Sequence, residues 1–533
     1  MSYTSINYLL YVAVCLLLYG IIPKTKRWWV LLAASMGFYG IICWEHPSLV
    51  LFILMTAATT YGGGLWLEKY IEQKDAYVKS QKGKWSKEEK SAYKDKVTAG
   101  KKRICASVLV LNFGVLAFLK YFNFFADTIN SVTGRGSVPR LGLLLPIGIS
   151  FYTFQSMGYI IDIYRKKYKA ERNYLKFLLF VSFFPQIVQG PIAFYSDLAH
   201  QLYAGEDVRF ENIKQGVLLI TWGFFKKLVI ADRLVTAVMT VPNDCDSYSG
   251  TAVLLTALMY ALQLYADFSG GIDISRGVAQ LFGINMAENF KRPYFSKDIS
   301  EYWHRWHITL GAWLREYLFY PVAMSKPFQK MGKALKARFG MKISKVLPVS
   351  IASLITFLVV GIWHGANWKY VAFGAWNGCI IMISTLLESN FESWKKKLHI
   401  ENTNKLFIVF QLFRTFLIVL VGYYFDIAPD FSTAMHMMYM SVTDLHPSEL
   451  LSREFLGSLS LCRADVVAVL AAMVIMLIVS LKQEHSEVTL RERICKRSFV
   501  FQSLVFLLLL YAVIIFGVYG PGSNPADFYY MQF

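Results

Sequence analysis

Residues 289–323 read NFKRPYFSKDISEYWHRWHITLGAWLREYLFYPVA, and the rest of the chain is organised around them. His304 and His307 sit among Trp303, Trp306 and Trp313, with Arg305, Arg315 and Glu316 in the same stretch. Long apolar runs flank it on both sides. Ionisable side chains inside such surroundings are costly to bury, so their default reading is a working site. Histidine suits proton transfer because its ordinary pKa, about 6.5, lets it take and return a proton near neutral pH. Burial penalises the charged ring and favours the neutral form that acts as a base. His307 is the expected base.

Outward from that stretch, the 533-residue chain is 55% hydrophobic and only 17% charged, which points to one polytopic all-α membrane body over 1–533. Apolar runs near 6–22, 28–44, 49–67, 104–125, 141–161, 174–192, 215–231, 251–268, 347–363, 366–387, 405–425, 465–481 and 499–519 predict roughly a dozen helices in the membrane. Pro185, Gly190, Lys226 and Lys227 interrupt some of them, so re-entrant or broken segments are expected where protein covers the backbone. The run from Ile6 to Ile22 has no basic n-region before it and no small-residue cleavage site, and reads as a retained span.

The net charge of +19 is concentrated in a few loops. Residues 69–103 hold twelve Lys/Arg against five Asp/Glu, and 326–345 hold seven basic residues and no acid. Placing these loops in the cytoplasm puts the N-terminus, the acidic segment 426–464 and the tail 520–533 outside. The charge is therefore a topology and headgroup signal rather than a nucleic-acid signal. Segment 74–102 suits a solvated helix or a loop. Within 324–346, Phe328, Met331, Leu335 and Phe339 are spaced for an amphipathic helix on the inner headgroups. Gly62 to Gly64 lack the Lys-Ser/Thr of a phosphate loop and read as a close backbone contact. Seven scattered cysteines, with no C-x-x-C pair, indicate neither a disulfide framework nor a thiol nucleophile.

Of nine histidines, His304, His307 and His364 stand out. His364 lies in GIWHGANW at 361–368, either as a site residue or as a ring beside an aromatic membrane anchor. A hydroxyl attacking an acyl thioester needs a base, worth roughly 10²–10⁴ in rate, and a second histidine can orient it or donate to the developing oxyanion. Glu301, His304 and His307 fall at i, i+3 spacing and would share a helix face, which allows a zinc site. The pattern is not H-E-x-x-H, and no metal is assigned.

The stretch KRPYFSKDISEYWHRWHITLGAWLREYLFYPV resembles the signature of the membrane-bound O-acyltransferase (MBOAT) superfamily, in its bacterial alginate O-acetyltransferase and teichoic-acid D-alanyltransferase branch. LLPIGISFYTFQSMGYIIDIYR at 144–165, FFPQIVQGPI at 183–192, YADFSGGIDISRG at 265–277 and GIWHGANW follow in the same order. The resemblance implies a ring of tilted helices around a thin centre, where a cytoplasmic acyl donor meets an acceptor from the far side. It assigns His307 and His364 as essential, in a bacterial plasma-membrane protein. His304 stands where the family more often has Arg. Gly271 and Ile272 replace the usual Tyr and Ser, leaving Asp267 and Ser269 as either site-lining or helix-packing residues. Arg305 and Asn367 are further candidates for the site lining.

The last residues, Phe528 to Phe533, fit F-x-Y-x-x-F and resemble the end of the small partner peptide of the D-alanyltransferase branch. That resemblance implies Tyr530 as an acyl carrier; the alternative is an aromatic anchor at the outer interface. The expected activity is transfer of an acyl group, acetyl first and D-alanyl second, to a cell-surface polysaccharide. The donor would be acetyl-CoA or an acylated carrier protein, with a separate extracytoplasmic transferase completing delivery and no tightly bound cofactor. A transporter or flippase with a polar pathway is the competing class.

Overall fold

The computed structural model describes residues 1–519 except Lys82 and Arg135. Among the described residues every regular element is helical, and the one bridge between extended residues pairs Phe290 with Trp306. Eight helices there are long and apolar enough to cross a bilayer: Pro47–Ser80, Lys87–Thr133, Gly250–Leu281, Lys326–His364, Trp368–Lys397, Lys405–Ile427, Arg463–Glu484 and Phe499–Phe516. That is fewer than the dozen expected. The missing crossings are runs that fold into shorter helices, such as Ile6–Ile21, Arg27–Ile42 and Ile149–Tyr164, each of 16 residues. At 1.5 Å per residue such a helix is about 24 Å long, short of a hydrocarbon core of about 30 Å.

The chain divides into two compact units, 1–216 with 278–287, and 217–277 with 288–533. In the first, the basic segment 74–102 is helical on either side of a turn, continuing Val50–Ser80 and opening Lys87–Thr133. Ser86 and Glu89 form a reciprocal capping box at that second start, which satisfies two otherwise orphaned backbone donors. The two helices pack together at Gly63, where a Cβ would stand 2.5 Å from a methyl of Val108. Gly63 and Gly64 do the close-packing work expected of the glycine run, whereas Gly62 faces open space.

The run 174–192 is broken as anticipated. Helix Tyr174–Ser182 ends, and buried irregular backbone follows. Side chains satisfy it: the Tyr3 hydroxyl donates to the carbonyls of Phe184 and Pro185 at 3.0 and 2.9 Å, and the Phe184 N–H donates to Ser35 Oγ at 3.1 Å. Non-helical backbone survives at membrane depth only when protein supplies such partners.

In the second unit, a π-helical turn, Phe225–Ala231, follows helix Phe210–Phe224 and carries Lys226 and Lys227. Helix Lys326–His364 is interrupted at Gly340, whose φ of 82° belongs to the left-handed region. The break falls inside the basic segment 324–346 and leaves Lys342 and Lys345 on the side of the apolar span that ends at His364. Phe499–Phe516 exposes Val500, Leu504, Leu508 and Ile515, apolar surface suited to lipid rather than water. None of the seven cysteines forms a disulfide.

Candidate active site

The site is built by a short backbone pairing within the second unit. Ile308 N–H donates to the Asn289 carbonyl at 3.0 Å, and Lys291 N–H donates to the Arg305 carbonyl at 2.9 Å. Helix Ile299–Arg305 is capped by Asp298, whose carboxylate accepts from the Glu301 N–H at 2.8 Å. It ends as Trp306 turns extended to pair with Phe290. His307 then adopts φ 45° and ψ 52°, immediately before helix Ile308–Leu314. A non-glycine residue in that region is strained by about 1–3 kcal/mol and is kept there only by its surroundings. Glu301, His304 and His307 therefore do not share a helix face, because the helix stops at Arg305.

Asn289 holds the histidine. Its Oδ1 accepts from the Thr309 N–H at 3.0 Å and from Thr309 Oγ1 at 2.9 Å, and lies 3.2 Å from His307 Nδ1. A backbone N–H can only donate, so the atom facing it must be the amide oxygen. His307 Nδ1 must then carry the hydrogen. In the neutral ring this leaves Nε2 with the lone pair, the form a general base requires.

The imidazole is 3% exposed and enclosed by rings. Phe268 meets it edge-on with centroids 4.9 Å apart, and Trp363 lies 6.1 Å away. Trp363 is in turn 5.1 Å from the ring of His364, which Phe373 contacts at 5.2 Å. The Trp363 indole thus neighbours both imidazoles. His364 is the last residue of its helix, and the chain turns at Gly365, where a Cβ would come 2.3 Å from the Tyr370 ring.

Two cavities approach this centre. The larger, about 410 Å³, is lined by Asn289, by Lys226, Arg276, Arg292 and Arg491, and by apolar side chains from Arg463–Glu484 and Phe499–Phe516. The smaller, about 20 Å³, is lined by His364, Trp303 and Trp306 among others. His307 lines neither of these two. Asn289 lines the larger and Trp306 the smaller, so both cavities end at residues next to the ring.

The remaining candidates fall in different places. Asp267 is fully buried in an ion pair with Lys227 at 2.7 Å, which Asp232 shares at 2.7 Å. Ser269 does line the larger cavity, where its hydroxyl and Asp273 accept from Lys226 Nζ at 2.8 and 2.7 Å. Asn367 caps helix Trp368–Lys397, its side chain accepting from the Lys369 N–H at 3.0 Å. His304 is exposed, with Nδ1 2.7 Å from the Ser300 carbonyl. Arg305 pairs with Glu301 and Glu484 at 2.7 and 2.8 Å. Tyr530 lies outside the described residues. Sequence reasoning missed Asn289, which looks like one more polar residue before K-R-P, and Asp426, whose place beside His364 only the fold reveals.

Residues 165–335 match the family described as MBOAT, membrane-bound O-acyltransferase family. They are an MBOAT domain. The chain is 34% identical to the probable alginate O-acetylase AlgI of Pseudomonas syringae pv. tomato over 323 residues, covering 59% of this chain and 56% of that protein. It is 30% identical to the peptidoglycan O-acetyltransferase of Helicobacter pylori over 301 residues, 52% and 54% of the two chains. It is 27% identical to the teichoic acid D-alanyltransferase of Bacillus subtilis over 289 residues, 54% and 69% of the two chains. The match to the first of these spans a little over half of that relative's length. With eight span-length helices, the MBOAT domain belongs to a multi-pass bacterial membrane protein.

Proposed function

We propose that the chain is a membrane O-acyltransferase that takes an acetyl group from a cytoplasmic thioester and delivers it for O-acylation of a cell-surface polysaccharide. The observation that carries this is the contact of His307 Nδ1 with the Asn289 amide oxygen at 3.2 Å on a buried ring, which assigns Nε2 as the basic nitrogen. An acceptor hydroxyl loses its proton to Nε2 as its oxygen attacks the thioester carbonyl. The C–S bond then breaks, and the sulfur leaves with the proton that His307 returns. His364, whose ring also neighbours Trp363, orients the hydroxyl or donates to the oxyanion.

The larger cavity supports the donor half of this reading. Four cations, Lys226, Arg276, Arg292 and Arg491, stand against the carboxylates of Asp273 and Glu288, beside an apolar wall. That combination suits a phosphate-bearing carrier with an apolar arm, such as acetyl-CoA or the pantetheine of an acylated carrier protein. The names of the relatives support acetyl transfer to a polysaccharide first. D-alanyl transfer to teichoic acid is the second reading, favoured by the names of two relatives. A separate extracytoplasmic transferase would finish delivery, with Tyr530 as the first acceptor.

Membranes bearing His307→Ala or His364→Ala should lose labelled acyl transfer while the protein is inserted at wild-type level. Retained transfer in His307→Ala overturns the reading, and substrate movement without a covalent product would mean a transporter. Mass spectrometry of the C-terminal peptide separates acetyl from D-alanyl. Transfer that persists in Tyr530→Phe leaves that residue an anchor.

A further inference from the structure

Away from the histidine centre, Cys245, Asp246 and His436 form a cluster of metal-ligating side chains among the described residues. A sulfur, a carboxylate oxygen and an imidazole nitrogen there all lie within 4.8 Å of one another. Cys245 and Asp246 belong to the short 3₁₀ turn Cys245–Ser247, and His436 belongs to helix Phe431–Thr443. Asp246 and His436 are 190 residues apart in sequence, yet His436 Nε2 lies 2.8 Å from Asp246 Oδ1. Neither segment is one of the span-length helices. Cys245 is buried, whereas Asp246 and His436 reach solvent.

The frame carrying these groups is fastened independently of them. Ser247 N–H donates to the Asp244 carbonyl and Tyr248 N–H to that of Cys245, both at 3.1 Å, which sets the turn. Three further bonds tie the next residues to the segment beyond His436. Ser249 Oγ donates to Glu449 at 2.5 Å, Gly250 N–H to Asp444 Oδ2 at 2.9 Å, and His446 N–H to Thr251 Oγ1 at 2.7 Å. A Cβ on Gly250 would stand 2.0 Å from the Met440 carbonyl oxygen, so the two backbones touch one helical turn past His436. The donors are thus close before any ion arrives, which lowers the ordering cost of binding.

The donor set selects the ion. Calcium and magnesium take oxygen ligands, whereas thiolate with imidazole and carboxylate suits a borderline-soft divalent cation. Zinc takes all three donors at about 2.0–2.3 Å, and tetrahedral geometry then spaces them about 3.4–3.6 Å apart. The Asp246–His436 contact has to open by less than about 1 Å to reach that spacing, a movement two exposed side chains allow. One thiolate and one carboxylate balance the two charges of the ion, and water takes the fourth position on the solvent side.

We propose that Cys245, Asp246 and His436 are the protein ligands of a zinc ion that pins the start of helix Gly250–Leu281 to helix Phe431–Thr443. On binding, the Cys245 thiol gives its proton to solvent as the sulfur–zinc bond forms, and His436 and Asp246 exchange their direct contact for bonds to the ion. The site is separate from the acyl-transfer centre and stands whether or not that reading holds.

The test uses the full chain in lipid nanodiscs, purified on a tag without histidine and stripped with EDTA. Equilibrium dialysis against zinc sulfate, followed by elemental analysis, should find one more ion per chain in the wild type than in Cys245→Ser. His436→Gln and Asp246→Asn, at exposed positions, should each weaken that ion by at least about tenfold. Cobalt in place of zinc should give the wild type a thiolate-to-metal charge-transfer band in the near ultraviolet that Cys245→Ser lacks. Saturating zinc should raise the midpoint of thermal unfolding more in the wild type than in His436→Gln. If Cys245→Ser does not fold, the two exposed variants and the wild-type cobalt spectrum decide. Equal zinc affinity in the wild type and His436→Gln, or a cobalt complex without the thiolate band, would mean an adventitious ion only and overturns the proposal. A wild type that takes up no zinc overturns it as well and leaves Asp246 and His436 an ordinary ion pair.

Discussion

Asn289 Oδ1 lies 3.2 Å from His307 Nδ1 and simultaneously caps the helix that begins after the histidine. One amide therefore sets both the backbone turn at φ 45° and the tautomer of the ring. Replacing it removes both constraints. Asn289→Ala should lower kcat by about 10²-fold, the low end of what a general base contributes, and cost about 1–2 kcal/mol of stability from the lost cap. Labelled acyl transfer and thermal unfolding in detergent measure the two effects separately. Asn289→Asp, which keeps the acceptor oxygen, should retain much of the stability.

The paired segments around His307 are clamped from a third direction. Glu484, at the end of Arg463–Glu484, pairs with Arg292 and takes two hydrogen bonds from Arg305, at 3.1 and 2.8 Å. Arg292 and Arg305 flank the Lys291–Arg305 backbone bond, so one carboxylate ties both sides of the pairing to a membrane helix. Glu484→Gln should destabilise by about 1–3 kcal/mol and loosen His307. The midpoint of thermal unfolding should fall, with a lowered kcat in the fraction that remains folded.

The helical class was legible because apolar run length is a local signal, and W-H spacing singled out His307 and His364, whose rings both neighbour Trp363 in the fold. The expectation of about a dozen membrane helices exceeds the eight of span length among the described residues, because composition does not separate a buried 16-residue helix, such as Ile149–Tyr164, from a span. Asp267 and Ser269 sat in a recognisable motif, yet their partners Lys227 and Lys226 lie about forty residues away in sequence. Lys226 and Lys227 were visible as an interruption of an apolar run. Only the π-helical turn shows how adjacent ammonium groups reach different carboxylates. Asn289 carried no signal, because its function depends on a backbone pairing across the Pro293 turn.

Lys227 is 2% exposed, between Asp267 and Asp232. Two buried carboxylates held by one ammonium make its removal severe, since breaking such a pair leaves uncompensated charge worth about 3–5 kcal/mol. Lys227→Met should therefore give little folded protein, read as loss of a monodisperse peak on size exclusion. The double replacement Lys227→Met with Asp267→Asn should recover part of that loss, because it removes a stranded charge along with its partner. Recovery absent from the double variant would show that Asp232, not Asp267, is the principal partner.

Asp444 offers a pH test outside the membrane-spanning segments. Its Oδ2 accepts from the Gly250 N–H at 2.9 Å at the start of Gly250–Leu281, and Oδ1 lies 2.9 Å from His446 Nε2. The Gly250 amide first, and then His446, hold its carboxyl below the usual carboxylate range. A depressed folded-state value means that the stabilisation is present above the unfolded value of about 3.9 and is lost as pH falls through the folded one. Wild-type thermal stability should thus drop on acidification below about pH 4 more steeply than that of Asp444→Asn, whose amide caps at every pH. Parallel acid-limb slopes for the two proteins would mean that Asp444 contributes no proton-linked stability.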